Sequence, residues 1–214
     1  STPKPSSAAS DVYKRQVQLS PDTRAGNWDA CSGYHYNDTT LKGFSHTHLS
    51  GTGCIDLGDI LFRPTTLKPD LTTESIYQPA AFSHKDEDAS AGYYSVVLKE
   101  EGIKAELTVT AHAGMHRYTF PSGKEASIII DLTHLLDNEY IYEAELEQTA
   151  ANEITGMRRT RGWTDNQYVY FVAQFSKPFQ AIDFIQNKKM VSAGVKLNGT
   201  DSVSYTHLTL PTKA

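Results

Sequence analysis

Residues 93–111 read YYSVVLKEEGIKAELTVTA, and this stretch decides the fold. From residue 103 onward apolar and polar residues alternate, which is the period of a β-strand with one core face and one wet face. The apolar members are Ile103, Ala105, Leu107 and Val109, and the polar members are Lys104, Glu106, Thr108 and Thr110. Glu100–Gly102 is a hairpin connection, because glycine tolerates the positive φ of a tight turn. We therefore predict antiparallel strands over Tyr93–Lys99 and Ile103–Ala111.

Segments of β-branched and aromatic residues recur along the rest of the chain, and almost nowhere does a helical period last beyond two turns. The run Ile128–Ile130 has no polar face, so its strand is expected to be covered on both sides. Burying this many half-apolar strands is simplest in an all-β, antiparallel two-sheet sandwich. The other predicted strands are His116–Phe120, Ser127–Leu132, Tyr168–Phe175 and Phe179–Phe184.

The two ends of the chain are related at the level of DNA. Residues 6–16, SSAASDVYKRQ, can be encoded by DNA whose reverse complement translates as VSYTHLTLPT, the sequence of residues 203–212. Unrelated ends of a natural domain have no reason to be reverse complements, and the DNA resembles a sequencing-library transposon adapter. We predict that residues 1–16 and 203–214 are translated adapter and that 17–202 form one domain truncated at both ends. A pair of ordinary Ser/Thr-rich tails is the alternative.

Composition excludes some classes of protein. Leaving out the predicted adapter removes four basic residues and one acidic residue, which takes the formal net charge from −5 to −8. This sign argues against a nucleic-acid-binding domain. No apolar run approaches the roughly 20 residues of a membrane span, and no signal peptide is visible. Cys31 and Cys54 are too few for a disulfide scaffold, and buried free thiols are favoured over a pair.

The irregular segment from Gly26 to Gly58 is where we expect function. Long irregular segments in compact domains are often binding loops. Within it, His46 and His48 are two residues apart, a spacing that on a strand places both imidazoles on one face. Shared metal ligation, contact with a sugar and a structural role are all open for this pair.

Aromatic and charged residues provide further candidates. Trp28 and Trp163 suit the apolar face of a pyranose, although a tryptophan in a β-domain is more often part of the core. Asp56 and Asp59 are candidates to hold calcium or a sugar hydroxyl, whereas Lys85–Asp88 has the composition of a solvated loop. The basic cluster is Arg158, Arg159 and Arg161, for which pairing with acidic residues is favoured over binding an external anion.

No motif of a hydrolase nucleophile, nucleotide loop or zinc protease is present. A glycosidase needs an acid and a base carboxylate across the scissile bond, and the sequence singles out no such pair. We therefore predict no catalytic residue and no metal ligand within this chain.

Several blocks of the sequence together resemble glycoside hydrolase family 92. The resemblance covers nearly all of residues 17–202, and the stretch from SGYHY to GFSHTHLSGTG is its most specific part. The blocks are VQLSPDTR (17–24), GNWDACSGYHYNDTTLKGFSHTHLSGTGCIDLGDILFRP (26–64), AGYYSVVL (91–98), HRYTFP (116–121), ITGMRRTRGW (154–163) and QYVYFVAQFSKPF (167–179).

This resemblance implies an N-terminal β-sandwich that packs on an (α/α)₆ barrel in an inverting, Ca²⁺-dependent exo-α-mannosidase acting on N-glycans or mannans. It implies that the barrel carries the catalytic acid and base and most calcium ligands, that the sandwich positions substrate, and that the protein is secreted, periplasmic or on the cell surface. The substrate-binding positions that it implies here are Gly43, Phe44, Ser45, His46, Trp28 and Trp163.

Two alternatives stay open. The first is a stand-alone carbohydrate-binding β-sandwich module, with the same loop but no barrel. The second is a cupin-like metalloenzyme built on His46, His48 and His134, with Asn138 nearby; it lacks the glutamate that usually follows such a histidine pair.

Overall fold

A computed structural model gives the fold. It describes residues 17–26, 28–49, 53–67, 78–137, 140–186, 191–197 and 204–209. Across these ranges the secondary structure consists of β-strands and two short 3₁₀ turns, Trp28–Ala30 and His84–Asp86. Among the described residues there is no helix long and apolar enough to cross a membrane.

The strands are numbered in chain order. They are β1 Ser20–Asp22, β2 Thr40–Leu41, β3 Gly43–Ser45, β4 Leu61–Thr65, β5 Ala80–Ala81, β6 Glu87–Ser90, β7 Tyr93–Leu98, β8 Ile103–Val109, β9 Ala113–Thr119, β10 Ser127–Asp131, β11 Tyr140–Ala150, β12 Glu153–Arg161, β13 Gln167–Gln174, β14 Phe179–Gln186, β15 Val191–Leu197 and β16 Ser204–Thr209.

Two large antiparallel sheets face each other, and this confirms the predicted sandwich. A six-stranded sheet has the order β1-β3-β4-β10-β15-β14, and an eight-stranded sheet has the order β11-β12-β13-β16-β9-β8-β7-β6. A single hydrophobic core lies between them, with Phe44, Phe62 and Ile128 from the first sheet and Leu107 and Phe171 from the second. Sheet-on-sheet packing thus buries the apolar face of nearly every strand.

Each strand predicted from the sequence is present within a few residues of its predicted bounds. The β7–β8 hairpin turns at Gly102, whose φ is +69°. All five residues of β10 are buried, as the apolar run predicted. The long strands β11 and β12 were not among those predicted, because the acidic sequence YIYEAELEQTA of β11 offers only a weak apolar alternation.

Two glutamates depart from the pattern. Glu106 lies on the outer face of β8, yet it is buried because Arg117 covers it with two hydrogen bonds and Tyr93 donates a third. The hydrogen bonds from Arg117 are the main cause that lowers the pKa of Glu106 to about 2. Glu87, predicted to be in a solvated loop, begins the edge strand β6 and has a side chain only 8% exposed. That prediction was wrong for Glu87.

The ends and the cysteines complete the description. Residues 1–16, 203 and 210–214 lie outside the described residues, whereas the backbone of β16 pairs with β9 and β13. Whether 204–209 are translated adapter stays a prediction. Cys31 and Cys54 are both partly exposed, so the expected burial of these thiols is wrong.

Candidate functional site

Both tryptophans lie at the surface. Trp28, at the start of a 3₁₀ turn, is 72% exposed, and Trp163, just beyond the end of β12, is 57% exposed. A core role for either indole, the more common fate of tryptophan in a β-domain, is therefore wrong here. Both indole faces are therefore accessible to a ligand.

The backbone at Trp163 is fixed by Asp56. The carboxylate of Asp56 accepts the amide of Trp163 at 2.6 Å and the amide of Leu57 at 2.9 Å. A Cβ at Gly162 would overlap Asp56 Oδ1, so only glycine permits this approach. Leu57 and Ile60 adopt left-handed φ values of 79° and 62°, which non-glycine residues adopt only where the surrounding structure enforces them.

A continuous series of contacts joins the backbone near Trp28 to this loop. Gly26, two residues before Trp28, donates its amide to the carbonyl of Leu136 at 2.5 Å. The Leu136 side chain in turn lies 2.7 Å from the position that a Cβ of Gly58 would take. Gly58 is two residues from Asp56, which holds Trp163. The segments carrying the two indoles are therefore linked through Leu136, and we call these two segments together the tryptophan layer.

The other predicted substrate-binding residues are buried. Gly43, Phe44 and Ser45 form β3, and His46 follows directly; the last three are each 0% exposed. The backbone of Gly43 packs against β4, where a Cβ would come within 2.8 Å of the Phe62 carbonyl. Because His46 is buried by residues of this chain, a structural role is favoured among those left open for it. Contact of a sugar with these four residues stays a prediction.

His46 belongs to a buried, uncharged chain of hydrogen bonds. Its Nδ1 lies 2.7 Å from the Ile60 carbonyl, which can only accept, so Nδ1 carries the proton. Its Nε2 then accepts from His116 Nε2–H at 2.8 Å, and His116 Nδ1 accepts from the Tyr118 hydroxyl at 2.7 Å. Burial lowers the pKa of His46 to about 4 and lowers that of His116 as well. Both rings are uncharged at neutral pH.

His48, in contrast to His46, carries a proton on both ring nitrogens. Its Nδ1 lies 2.7 Å from the Gln18 carbonyl and its Nε2 lies 2.7 Å from the Asp22 carboxylate, so both partners are acceptors and both nitrogens must donate. Burial opposes this charge, but Asp22 outweighs it and the pKa of His48 is raised. His134 donates to the other Asp22 oxygen at 2.9 Å, and the Ser45 hydroxyl lies 3.1 Å from His48 Nε2.

These partners bear on the predicted histidine pair. His46 and His48 bind different groups, and each of their four ring nitrogens has a partner within the protein. The two imidazoles therefore share no ligand, and the cupin-like alternative is wrong as far as these residues define it. Asn138, its remaining member, lies outside the described residues.

Acid should destabilise the fold through the neutral histidines. The unfolded chain binds protons at its histidines from about pH 6.5 downward, whereas folded His46 resists protonation until about pH 4. In that interval the unfolded state holds more protons, so stability falls with pH. We expect the free energy of unfolding, measured by urea denaturation, to be lower at pH 4 than at pH 7 by at least about 3 kcal/mol, since His116 adds to the effect of His46.

The raised pKa of His48 does not reverse this trend. Protonated His48 stabilises the folded state fully below pH 6.5, and this contribution is lost only as the pH rises through the folded-state pKa of His48. His112→Gln, at an exposed histidine, should retain the loss in acid. Equal unfolding free energies at the two pH values would contradict the neutral assignment.

Asp56 and Asp59, the acidic candidates for calcium or a sugar hydroxyl, have internal partners instead. Asp59 is 0% exposed; one of its oxygens lies 3.0 Å from Arg158 Nε, and the other accepts from Thr47 and Gln167 at 2.6 and 2.9 Å. Calcium takes about six to eight oxygen ligands. Within the described ranges no group of three or more acidic, histidine or cysteine residues could hold a metal. Asp56 and Asp59 therefore do not fit a calcium site.

Arg158 is paired internally, as the sequence favoured for the basic cluster. It also donates to the carbonyls of Leu132 and His134 at 3.2 and 2.6 Å. Arg161 pairs with Asp165 at the surface, and Arg159 lies between the rings of Tyr142 and Tyr168.

Sequence reasoning missed Asp22 and His116, whose partners are 26 and 70 residues away. The only signal in the sequence was their place inside blocks of the family resemblance.

Comparisons with known proteins agree with that resemblance. The family model of the glycosyl hydrolase family 92 N-terminal domain matches residues 16–213. An "Uncharacterized secreted glycosidase" of Arthroderma benhamiae is 31% identical over 121 residues, which is 50% of this chain and 15% of that protein.

Among solved structures, the family GH92 α-mannosidase BT3965 from Bacteroides thetaiotaomicron, in complex with mannoimidazole, is 35% identical with a TM-score of 0.82, over 91% of this chain and 29% of that one. The GH92 inverting mannosidase BT2199 from Bacteroides thetaiotaomicron VPI-5482 has a TM-score of 0.71 at 21% identity, over 91% of this chain and 27% of that one. At this identity the similarity shows the fold alone. The chain thus spans less than a third of the length of these relatives. It belongs to the glycosyl hydrolase family 92 N-terminal domain family.

Proposed function

We propose that this chain is the substrate-positioning N-terminal domain of an inverting, calcium-dependent exo-α-mannosidase that acts on mannose of N-glycans or mannans. The observation that carries the proposal is the pair of exposed indoles, Trp28 and Trp163, on two loop segments linked through Leu136. The family and the mannoimidazole complex of the 35%-identical relative support the choice of substrate.

An indole face suits a pyranose because the ring C–H groups are apolar while its hydroxyls need polar partners at the edge. A binding residue also has to be held rigidly if it is to place a sugar against reacting groups. The Asp56 contact to the Trp163 amide and the tight fit at Gly162 provide that rigidity on one side of the layer.

The reacting groups are assigned to polypeptide outside this chain. Inversion needs an acid and a base carboxylate roughly 6.5–9.5 Å apart with a water between them. The buried carboxylates of Asp22, Asp56 and Asp59 are held by partners within this chain. In this proposal an α/α barrel packed on the sandwich supplies both carboxylates and binds the calcium, and the protein is secreted, periplasmic or on the cell surface.

The two tryptophans make the binding test direct. The chain contains only these two, so a ¹H–¹⁵N spectrum has two indole signals. We expect methyl α-D-mannopyranoside to shift both, and Trp28→Ala and Trp163→Ala each to weaken binding by about tenfold without lowering the Tm. Tyr140→Ala, at a residue 62% exposed in β11, is the matched control and should leave the affinity unchanged.

Indole signals that ignore the mannoside would remove the observation on which the proposal depends. Loss of affinity that accompanies an equal loss of folded protein would assign the tryptophans to stability instead.

A further inference from the structure

An aromatic cavity lies beside the edge of the eight-stranded sheet. It has a volume of about 550 Å³ and lies between β1, the irregular segment after Gly33 and strand β6. Tyr34, Tyr36 and Tyr94 provide its walls, with His84 and Glu87 between them. This volume is within the range of small-molecule sites, which combine apolar walls with a few convergent polar groups.

Tyr36 forms a fixed platform at this cavity. Its ring stacks on the imidazole of His84 with the centroids 4.2 Å apart and the planes 11° apart, and Phe82 supports His84 edge-on at 5.4 Å. Tyr36 nevertheless remains 66% exposed. Since one face of the ring is covered by His84, the opposite face is the one open to a ligand.

Glu87 orders the polar groups of the cavity. The Tyr94 hydroxyl donates to Glu87 Oε1 at 2.7 Å, and the Tyr34 hydroxyl donates to Oε2 at 3.2 Å. His84 Nδ1 lies 2.5 Å from Oε2, so it also donates. Because both phenol protons are directed to the carboxylate, the phenol oxygens are left with lone pairs only and can act toward a ligand as acceptors alone.

This arrangement selects the chemistry of the occupant. An anion would be repelled by Glu87 and by the neighbouring Asp86 and Asp88. A purely apolar ligand would take the Glu87 carboxylate and its two phenol partners out of water, which is costly. A sugar instead offers an apolar C–H face to the open side of Tyr36 and hydroxyl donors to the oxygens of Tyr34 and Tyr94.

We propose that this cavity is a second carbohydrate site, which binds one neutral hexose unit on the open face of Tyr36. The identity of that hexose as mannose rests on the proposed function. The site would hold an additional unit of the glycan whose end is positioned at the tryptophan layer, and two weak contacts on one chain raise the overall affinity for a branched substrate.

The test uses the ¹⁵N-labelled chain titrated with methyl α-D-mannopyranoside. We expect the backbone amide signals of Ser32–Tyr36 and of His84–Ala89 to shift together along one binding curve. Tyr36→Ala should raise the dissociation constant obtained from that curve about tenfold. Tyr94→Phe, which removes one acceptor oxygen, should raise it as well. Tyr140→Ala is the control, and the amide spectrum of each variant reports whether it folds.

Each remaining outcome decides the matter. Amide signals that stay in place, or an affinity unaffected by Tyr36→Ala in a folded variant, would overturn the proposal. Choline chloride that shifts these signals while the mannoside does not would also overturn it, since it would make the cavity a cage for ammonium groups. The two indole signals report the tryptophan layer separately, so this site and the proposed function can fail independently.

Discussion

Replacing Gly33 with alanine should lower the free energy of unfolding by about 4 kcal/mol or more. A Cβ at this position would overlap Asp22 Oδ1 and lie 2.7 Å from His48 Nε2, within a buried ion pair. The φ of +75° at Gly33 adds strain for any residue with a side chain. Urea denaturation followed by tryptophan fluorescence measures the loss.

Gly92→Ala is the matched control for this change. Gly92 has a φ of +77°, but a Cβ there would have nothing within 4 Å. The Gly92→Ala variant should lose only about 1–2 kcal/mol of unfolding free energy, which is the cost of the left-handed backbone conformation for alanine. If the two alanine variants lose equal stability, the Asp22–His48 pair tolerates intrusion and the close packing described for it is wrong.

Arg158→Met should also destabilise the protein strongly, by about 3–5 kcal/mol. Arg158 is 1% exposed, and from β12 it reaches Asp59 and the carbonyls of Leu132 and His134, which follow β10 in the opposite sheet. The methionine fills a similar volume but leaves the Asp59 carboxylate buried without its cation. The midpoint of urea denaturation is the measurement.

Two further variants separate charge from packing. Arg161→Met removes an exposed ion pair to Asp165 and should cost at most about 1 kcal/mol. Adding Asp59→Asn to Arg158→Met should recover part of the loss, because the uncompensated charge is then gone. A double variant no more stable than Arg158→Met alone would place the cost in lost packing rather than in the stranded charge.

The strands could be predicted because their information is local. In β8, Ile103, Ala105 and Leu107 alternate with polar residues, and the two-residue period is readable without knowledge of the partner strand. The same reasoning failed to predict the burial of Glu106 and Glu87. Their burial depends on Arg117 and on Tyr34, which come from other elements, and no local pattern reveals such a partner.

The site was less predictable for the same reason. Exposure of Trp28 and Trp163 depends on what the finished loop layer leaves uncovered. The opposite charge states of His46 and His48 could not be read from their spacing, because one ring is bonded to His116 and the other to Asp22, on distant elements. The His-x-His pattern identified the right segment but not its chemistry.

A stand-alone carbohydrate-binding module would share every feature of the tryptophan layer, so binding alone does not separate it from part of an enzyme. What differs is the polypeptide encoded after this domain. The mannosidase proposal requires that polypeptide to carry the acid and base carboxylates.

The most direct measurement is therefore hydrolysis of an aryl α-mannoside in the presence of calcium, by this chain and by the same chain continued into its natural downstream sequence, with the released sugar followed by ¹H NMR. We expect no turnover by the chain alone, and β-mannose as the first product of the extended protein. Turnover that scales with the isolated chain, α-mannose as the first product, or an inactive extended protein would each contradict the account.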